Sequence, residues 1–175
     1  TTTTNSLQDV SENKLNYVLI GDPALLIGNT DYTMAVDDIN GVAADGTQEI
    51  MLKAGSRVTV KGHVSTLSGA PATDFTGVMH ATIFDNIETV VCRNNAGTAA
   101  APLSYRERTK TIFVGGDSVR KGEFAFSFRV PMDINYSQKN GLINLYAVND
   151  TRKREAQGSY DGFLLGGTKE GLVND

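Results

Sequence analysis

Glu123-Phe124-Ala125-Phe126-Ser127-Phe128-Arg129-Val130-Pro131 is the stretch that decides the fold. Phe124, Phe126, Phe128 and Val130 alternate with Ala125, Ser127 and Arg129, the period of two that sends one row of side chains to a core and the other to water. Three Phe in one row are a large apolar surface for a chain without Trp. Pro131 cannot donate to a ladder, so the strand is expected to stop there. Downstream, Asn140-Gly141 carries a turn signature because both residues tolerate positive φ, and Leu142 to Val148 then reads as a second buried strand.

The same pattern extends outward from this pair. Tyr32 to Ile39 reads as a strand running into Asn40-Gly41, a strong hairpin signal. Val58, Val60, Gly62 and Val64 alternate with Thr59, Lys61, His63 and Ser65, which puts His63 on the wet face. Gly77 to Asp85 is a further strand with Met79, Ala81 and Ile83 in one row, and Thr89 to Arg93 is its short partner. Asn94 to Pro102 is a small-residue loop. Tyr105 to Val114 reads as one long polar strand, residues 150–157 as a charged loop, and Gly162 to Gly166 as the last strand. Roughly seven to nine strands separated by turns predict an all-β fold, an immunoglobulin-like antiparallel β-sandwich, with a strand-rich barrel as the structural alternative.

The first 29 residues have a different character. Ser6 to Leu15 reads as a short helix capped by Asn5 or Ser6, and Tyr17-Val18-Leu19-Ile20 as a buried strand stopped by Gly21-Asp22-Pro23. The expected organisation is therefore a tail over residues 1–29, a β-sandwich domain over 30–170 and a linker stub over 171–175.

The chain has 175 residues and a net charge of -4. That is enough length to bury a core without staples, and the acidic balance argues against a general nucleic-acid binder. One cysteine excludes an internal disulfide and a Cys-rich zinc site. No apolar run approaches the roughly 20 residues that span a bilayer. The chain opens on Thr-Thr-Thr-Thr without an initiator Met or a signal-peptide pattern, and the expectation is a fragment or processed piece.

Few residues carry chemistry. His63 and Cys92 are the one pair that could form a Cys–His dyad, which needs thiol and imidazole within hydrogen-bond reach. The outward alternation of His63 and the apolar strand context of Cys92 favour ordinary roles, and no catalytic residue is expected. Asp37, Asp38 and Asn40 match part of an oxygen-rich calcium loop. Calcium needs six to eight oxygens, and a turn explains Asp-Asp-x-Asn-Gly equally well. Arg106, Arg108 and Lys110 form a basic stripe on the expected long strand. It is either an anion-contact surface for polysaccharide or lipopolysaccharide or the charge that guards an edge strand. No cofactor is expected.

Two sets of residues carry a family resemblance. Asn16-Tyr17-Val18-Leu19-Ile20-Gly21-Asp22-Pro23-Ala24-Leu25 looks like the segment that closes the caspase-like catalytic domain of gingipain-type cysteine peptidases. After it come Ile39-Asn40-Gly41, Val58 to Val64, Asp74-Phe75-Thr76-Gly77-Val78, Ile83-Phe84-Asp85, Ser118 to Phe124, Val130-Pro131-Met132-Asp133-Ile134-Asn135-Tyr136 and Leu145-Tyr146-Ala147. In that order they resemble the gingipain-like sortases of the type IX secretion system of Bacteroidetes. The resemblance implies that residues 1–29 are the tail of a catalytic domain and that the rest is the non-catalytic β-sandwich after it. The parent would be a cysteine peptidase at the cell surface or outer membrane, which removes the C-terminal sorting signal of secreted cargo. The implied partners are its own catalytic domain, cargo proteins and secretion components. The family's catalytic His, followed by Gly, and its Cys lie in a domain that this chain does not include. A free-standing secreted adhesion or glycan-binding module is the alternative function.

Overall fold

In the computed structural model, which describes residues 30–93, 97 and 102–168, the Phe row lies as its period predicts. Phe124, Phe126 and Phe128 are buried, and the intervening Ala125, Ser127 and Arg129 are exposed. The strands in chain order are β1 (Tyr32–Ile39), β2 (Val42–Ala43), β3 (Met51–Ala54), β4 (Arg57–Thr66), β5 (Gly77–Phe84), β6 (Glu88–Val91) and β7 (Ser104–Glu107). They continue as β8 (Thr111–Arg120), β9 (Glu123–Arg129), β10 (Lys139–Asn140), β11 (Leu142–Asn149), β12 (Glu155–Tyr160) and β13 (Leu164–Thr168). No helix occurs among the described residues. The expected helix at Ser6 to Leu15, the 1–29 tail and the 171–175 stub lie outside them.

The all-β class holds, but the sheet is not divided as the expected sandwich requires. One sheet has the order β12-β11-β5-β8-β9-β4-β1-β2, and β1 also pairs with β12, so seven strands close into a barrel with β2 appended. Both seams are short. β8 meets β9 only at Val119↔Phe124 and Arg120↔Glu123. β1 meets β12 in parallel only at Tyr32↔Ala156 and Thr33↔Gln157. The cause of closure is local at each seam. Lys121 (φ 53) and Gly122 (φ 78) form a two-residue turn of the kind that fits the twist of a hairpin, carrying β8 straight into β9. At the other seam a Cβ on Gly158 would overlap the Met34 carbonyl oxygen, so glycine there is what lets β12 approach β1.

The core sits inside the barrel. Met79, Ala81 and Ile83 of β5 and Ile143, Leu145 and Ala147 of β11 face Val58, Val60 and Val64 of β4 and the Phe row of β9, all buried. Phe113 of β8 stacks on Phe128 at 5.2 Å between ring centroids and on Phe126 at 6.2 Å. A three-stranded sheet, β10-β13-β3, adds Leu52, Ala54 and Leu165 to the buried set.

Four local readings change, the first being that the Thr89 segment is not the partner of the Gly77 strand, since β6 pairs with β7 and β5 with β8 and β11. The polar segment Tyr105 to Val114 is not one strand. β7 pairs with β6 in a separate two-stranded sheet, the chain breaks at 108–110, and β8 runs on through Gly115-Gly116 to Arg120. Asn140-Gly141 is not a positive-φ turn; the positive φ in that region belongs to Gln138. Gly141 is needed because a Cβ there would press on the Phe163 ring at 2.5 Å. Residues 155–157 of the expected charged loop belong to β12, because pairing with β11 from Ile143↔Tyr160 to Val148↔Glu155 outweighs their weak strand propensity.

Phe126→Ala should lower unfolding stability by about 3–5 kcal/mol. Ser127→Ala, one residue on but facing water, should stay within about 0.5 kcal/mol. Urea denaturation of the two variants reads both, and equal losses would show that the row is not a core.

Candidate functional site

Strands β1, β4, β8 and β9 frame an open groove of about 600 Å³ whose lining includes Asp37, Asp38, Lys61 and His63, together with Asp117, Arg120 and Glu123. A β-bulge builds its rim. The β1–β4 register slips between Val36↔Gly62 and Asp38↔Lys61, which leaves Asp37 without a direct partner and re-aims its side chain. Its carboxylate meets the Nδ1 of His63 at 2.7 Å, with both side chains partly in water. Lys61 stands 3.9 Å from Asp38. Gly62 lets the sheet pass, since a Cβ there would overlap the Ala35 carbonyl oxygen and the Phe124 ring.

The three candidate calcium ligands are placed here, each with a turn or sheet role. Asp38 Oδ1 accepts the Gly41 N–H at 2.9 Å. Asn40 Oδ1 accepts the Thr59 N–H at 2.8 Å. Asn40 (φ 55) and Gly41 (φ 80) form the hairpin turn that their identity predicts. No group of three or more His, Cys, Asp and Glu converges as a metal set among the described residues. Cys92 is elsewhere, just after β6, with its N–H on the Leu103 carbonyl. Within the described residues His63 bonds Asp37 and not a thiol.

The basic stripe is divided by the break between β7 and β8. Arg106 is exposed on β7, opposite Thr89. Arg108 turns back, its Nη1 donating to the carbonyls of Asp85 at 2.9 Å and Asn140 at 2.7 Å. Lys110 pairs with Asp133 Oδ2 at 2.6 Å. Two of the three cations are therefore held by this chain's own oxygens.

Arg108 belongs to a polar knot that the sequence concealed. Asp and Asn are residue types common in exposed turns, yet Asp85 and Asn86 are each only 1% exposed. Asp85 accepts the N–H of Asn86 at 2.8 Å and that of Asn135 at 2.7 Å. Asn86 donates to the Asn135 carbonyl at 3.0 Å, and Asn135 donates to Glu88 at 2.9 Å. The knot ties the end of β5 to the turn before β10. A pair of Asp-Asn residues outside a Gly or Pro context was the one available signal, and it is shared with any exposed turn.

Two exposed ion pairs shift carboxyls. The ammonium of Lys110 holds the Asp133 carboxyl below its ordinary value through a hydrogen bond. The guanidinium of Arg154 does the same for Asp74, and it also lies 5.6 Å from the centre of the Tyr32 ring.

No family model matches the chain, and no curated protein matches it. Among solved structures, the crystal structure of dimeric latent PorU from Porphyromonas gingivalis aligns with 87% of this chain at 28% identity and a TM-score of 0.72. The chain is similar to a region of PorU. It spans only 14% of that PorU chain. Spo0M, a sporulation control protein from Bacillus subtilis, aligns over 80% of this chain and 50% of its own at 10% identity, with a TM-score of 0.42. A β-glucosidase from Listeria innocua aligns over 79% of this chain and 16% of its own at 9% identity, with a TM-score of 0.30. Neither score bears on what this chain does.

Asp85→Ala should cost about 2–4 kcal/mol, because two N–H groups lose their acceptor inside the fold. Thermal unfolding with and without calcium should give the same midpoint, since Asp38 Oδ1 and Asn40 Oδ1 are already taken by the N–H groups of Gly41 and Thr59. Acid should weaken the protein in a defined direction. A carboxyl whose folded pKa is depressed contributes stability above its unfolded pKa, and this is lost as pH falls through the folded value. For Asp74 and Asp133 the loss lies below about pH 4. Salt should shrink it because both pairs are exposed. Melting curves from pH 2 to 7 for the native chain and for Lys110→Ala test this: the variant should show the shallower acid slope.

Proposed function

We propose that this chain is the non-catalytic β-domain of a gingipain-like type IX secretion sortase. The observation that supports this best is the PorU alignment, which takes in 87% of this chain and only 14% of that one, the relation expected of one domain to its multidomain parent. The ordered resemblance from Ile39-Asn40-Gly41 to Leu145-Tyr146-Ala147 points the same way. In this reading the parent is a cysteine peptidase at the cell surface or outer membrane that removes the C-terminal sorting signal of secreted cargo. Residues 1–29 close its caspase-like domain, and the barrel over 30–170 is a mechanical part. It holds and orients the catalytic domain and contacts cargo or secretion components. The two four-strand halves joined by short seams are compatible with descent from an immunoglobulin-like sandwich.

The groove chemistry agrees with an interaction role. His63 and Asp37 form a hydrogen-bonded polar pair, but acyl transfer also needs a nucleophile beside the base, and Cys92 lies away from this groove, just after β6. The relative is a dimeric latent form, and assembly into a larger particle fits the same reading.

The test is an in-frame deletion of residues 30–168 in the full-length parent, expressed in its own cells. Cargo should accumulate with its C-terminal signal uncleaved, and a wild-type copy should restore processing. Normal processing without the barrel would overturn the role. Cleavage of a cargo peptide by this chain alone would overturn its non-catalytic character.

A further inference from the structure

Strand β9 is fully hydrogen-bonded on one side only. β4 pairs with it from Arg57↔Arg129 to His63↔Glu123, whereas β8 leaves it after Phe124. The two ends of β9 fix which groups stay free. The Gly122 carbonyl accepts the Val64 N–H, and the Val130 N–H donates to the Ser56 carbonyl. Even-numbered positions therefore face β4, and by alternation Ala125, Ser127 and Arg129 turn their N–H and C=O groups towards β8. No described backbone group pairs with those three, and all three are exposed.

Free sheet edges are templates for another strand and are normally guarded. β8 is guarded. Its Asp117 occupies a position in register with buried Met79, where a core residue would otherwise stand, and its carboxylate takes the Ser118 N–H at 2.7 Å. β9 is not guarded along its middle, where the outward side chains are Ala125 and Ser127. Its far end is basic. Arg129 lies directly opposite Arg57, a like-charge pair that repels, and no carboxylate among the described residues pairs with either. A cavity of about 330 Å³ lies against Arg57, Asp117, Ala125 and Ser127, and another of about 220 Å³ continues it to Arg129.

We propose that β9 takes up an extended acidic peptide as an added strand. The peptide main chain pairs with Ala125, Ser127 and Arg129, and an Asp or Glu side chain sits between the guanidinium groups of Arg57 and Arg129. Main-chain bonds supply affinity in this mode, and alternate side chains supply specificity. Guanidinium forks bind carboxylates bidentately, which relieves the repulsion of the opposed arginines.

The test uses the full 175-residue chain and a fluorescent peptide, acetyl-Thr-Val-Glu-Val-Glu-Val-Thr-amide. Binding is followed by anisotropy, and amide exchange by NMR. The amides of Ala125, Ser127 and Arg129 should become protected on binding. Arg57→Ala with Arg129→Ala should weaken binding by about tenfold or more and flatten its salt dependence. A Lys-for-Glu peptide should bind more weakly, and so should a peptide N-methylated at alternate residues. Equal binding of the N-methylated peptide would exclude strand addition, and equal binding of the Lys peptide would exclude the carboxylate contact. Protection that appears without peptide as protein concentration rises would assign the edge to a second copy of this chain. Absence of binding at millimolar peptide would also overturn the proposal.

Discussion

Phe113 rests on Phe126 and Phe128 across a seam that the backbone bridges at only two residue pairs. The rest of the barrel depends on that contact. With few main-chain bonds to join β8 to β9, apolar burial must hold the two halves together. Aromatic pairs in this geometry contribute beyond the area they bury. The price is a crowded interior: a Cβ on Gly115 would overlap the Phe113 ring, so β8 carries glycine there.

The same division explains where the polar chemistry lies. Side-chain packing at the seam frees β9 from pairing along its outer half, so its small outward residues line a groove instead of a ladder. Away from the seam, the barrel end is tied by hydrogen bonds, with Asp85 and Asn86 inside a network completed by Asn135 and Arg108. Buried polar groups are tolerated when bonded; Asp85 and the Asn86 side-chain N–H are bonded, the Asn86 Oδ1 has no partner among the described residues, and together they hold the connection between β5 and the turn before β10. The polar groove and the free edge of β9 are the surfaces this arrangement leaves open.

The strands were legible where period and punctuation agreed. The rows of β4, β5, β9 and β11 could be read directly, because alternation is a property of neighbouring residues. Asn40-Gly41 could be read for the same reason, since a hairpin turn is set by the φ preference of two residues. Asn140-Gly141 has the same letters and a different role: the Phe163 ring, distant in sequence, requires the glycine. Arg106, Arg108 and Lys110 make one stripe only where alternation runs unbroken, and the strand stops between Glu107 and Thr111. The contacts of Arg108 with Asp85 and Asn140 and of Lys110 with Asp133 break it.

The sequence by itself determined an all-β chain, most of its strands and the Phe row of its core. Those are local or cumulative properties, written into spacing and residue type. Only the tertiary structure decided that the sheet closes, that Asp37 bulges out to meet His63, that Asp85 is buried, and that β9 keeps one edge free with two arginines beside it. Each depends on which strands meet and in what register, and register is set by contacts between residues far apart in the chain.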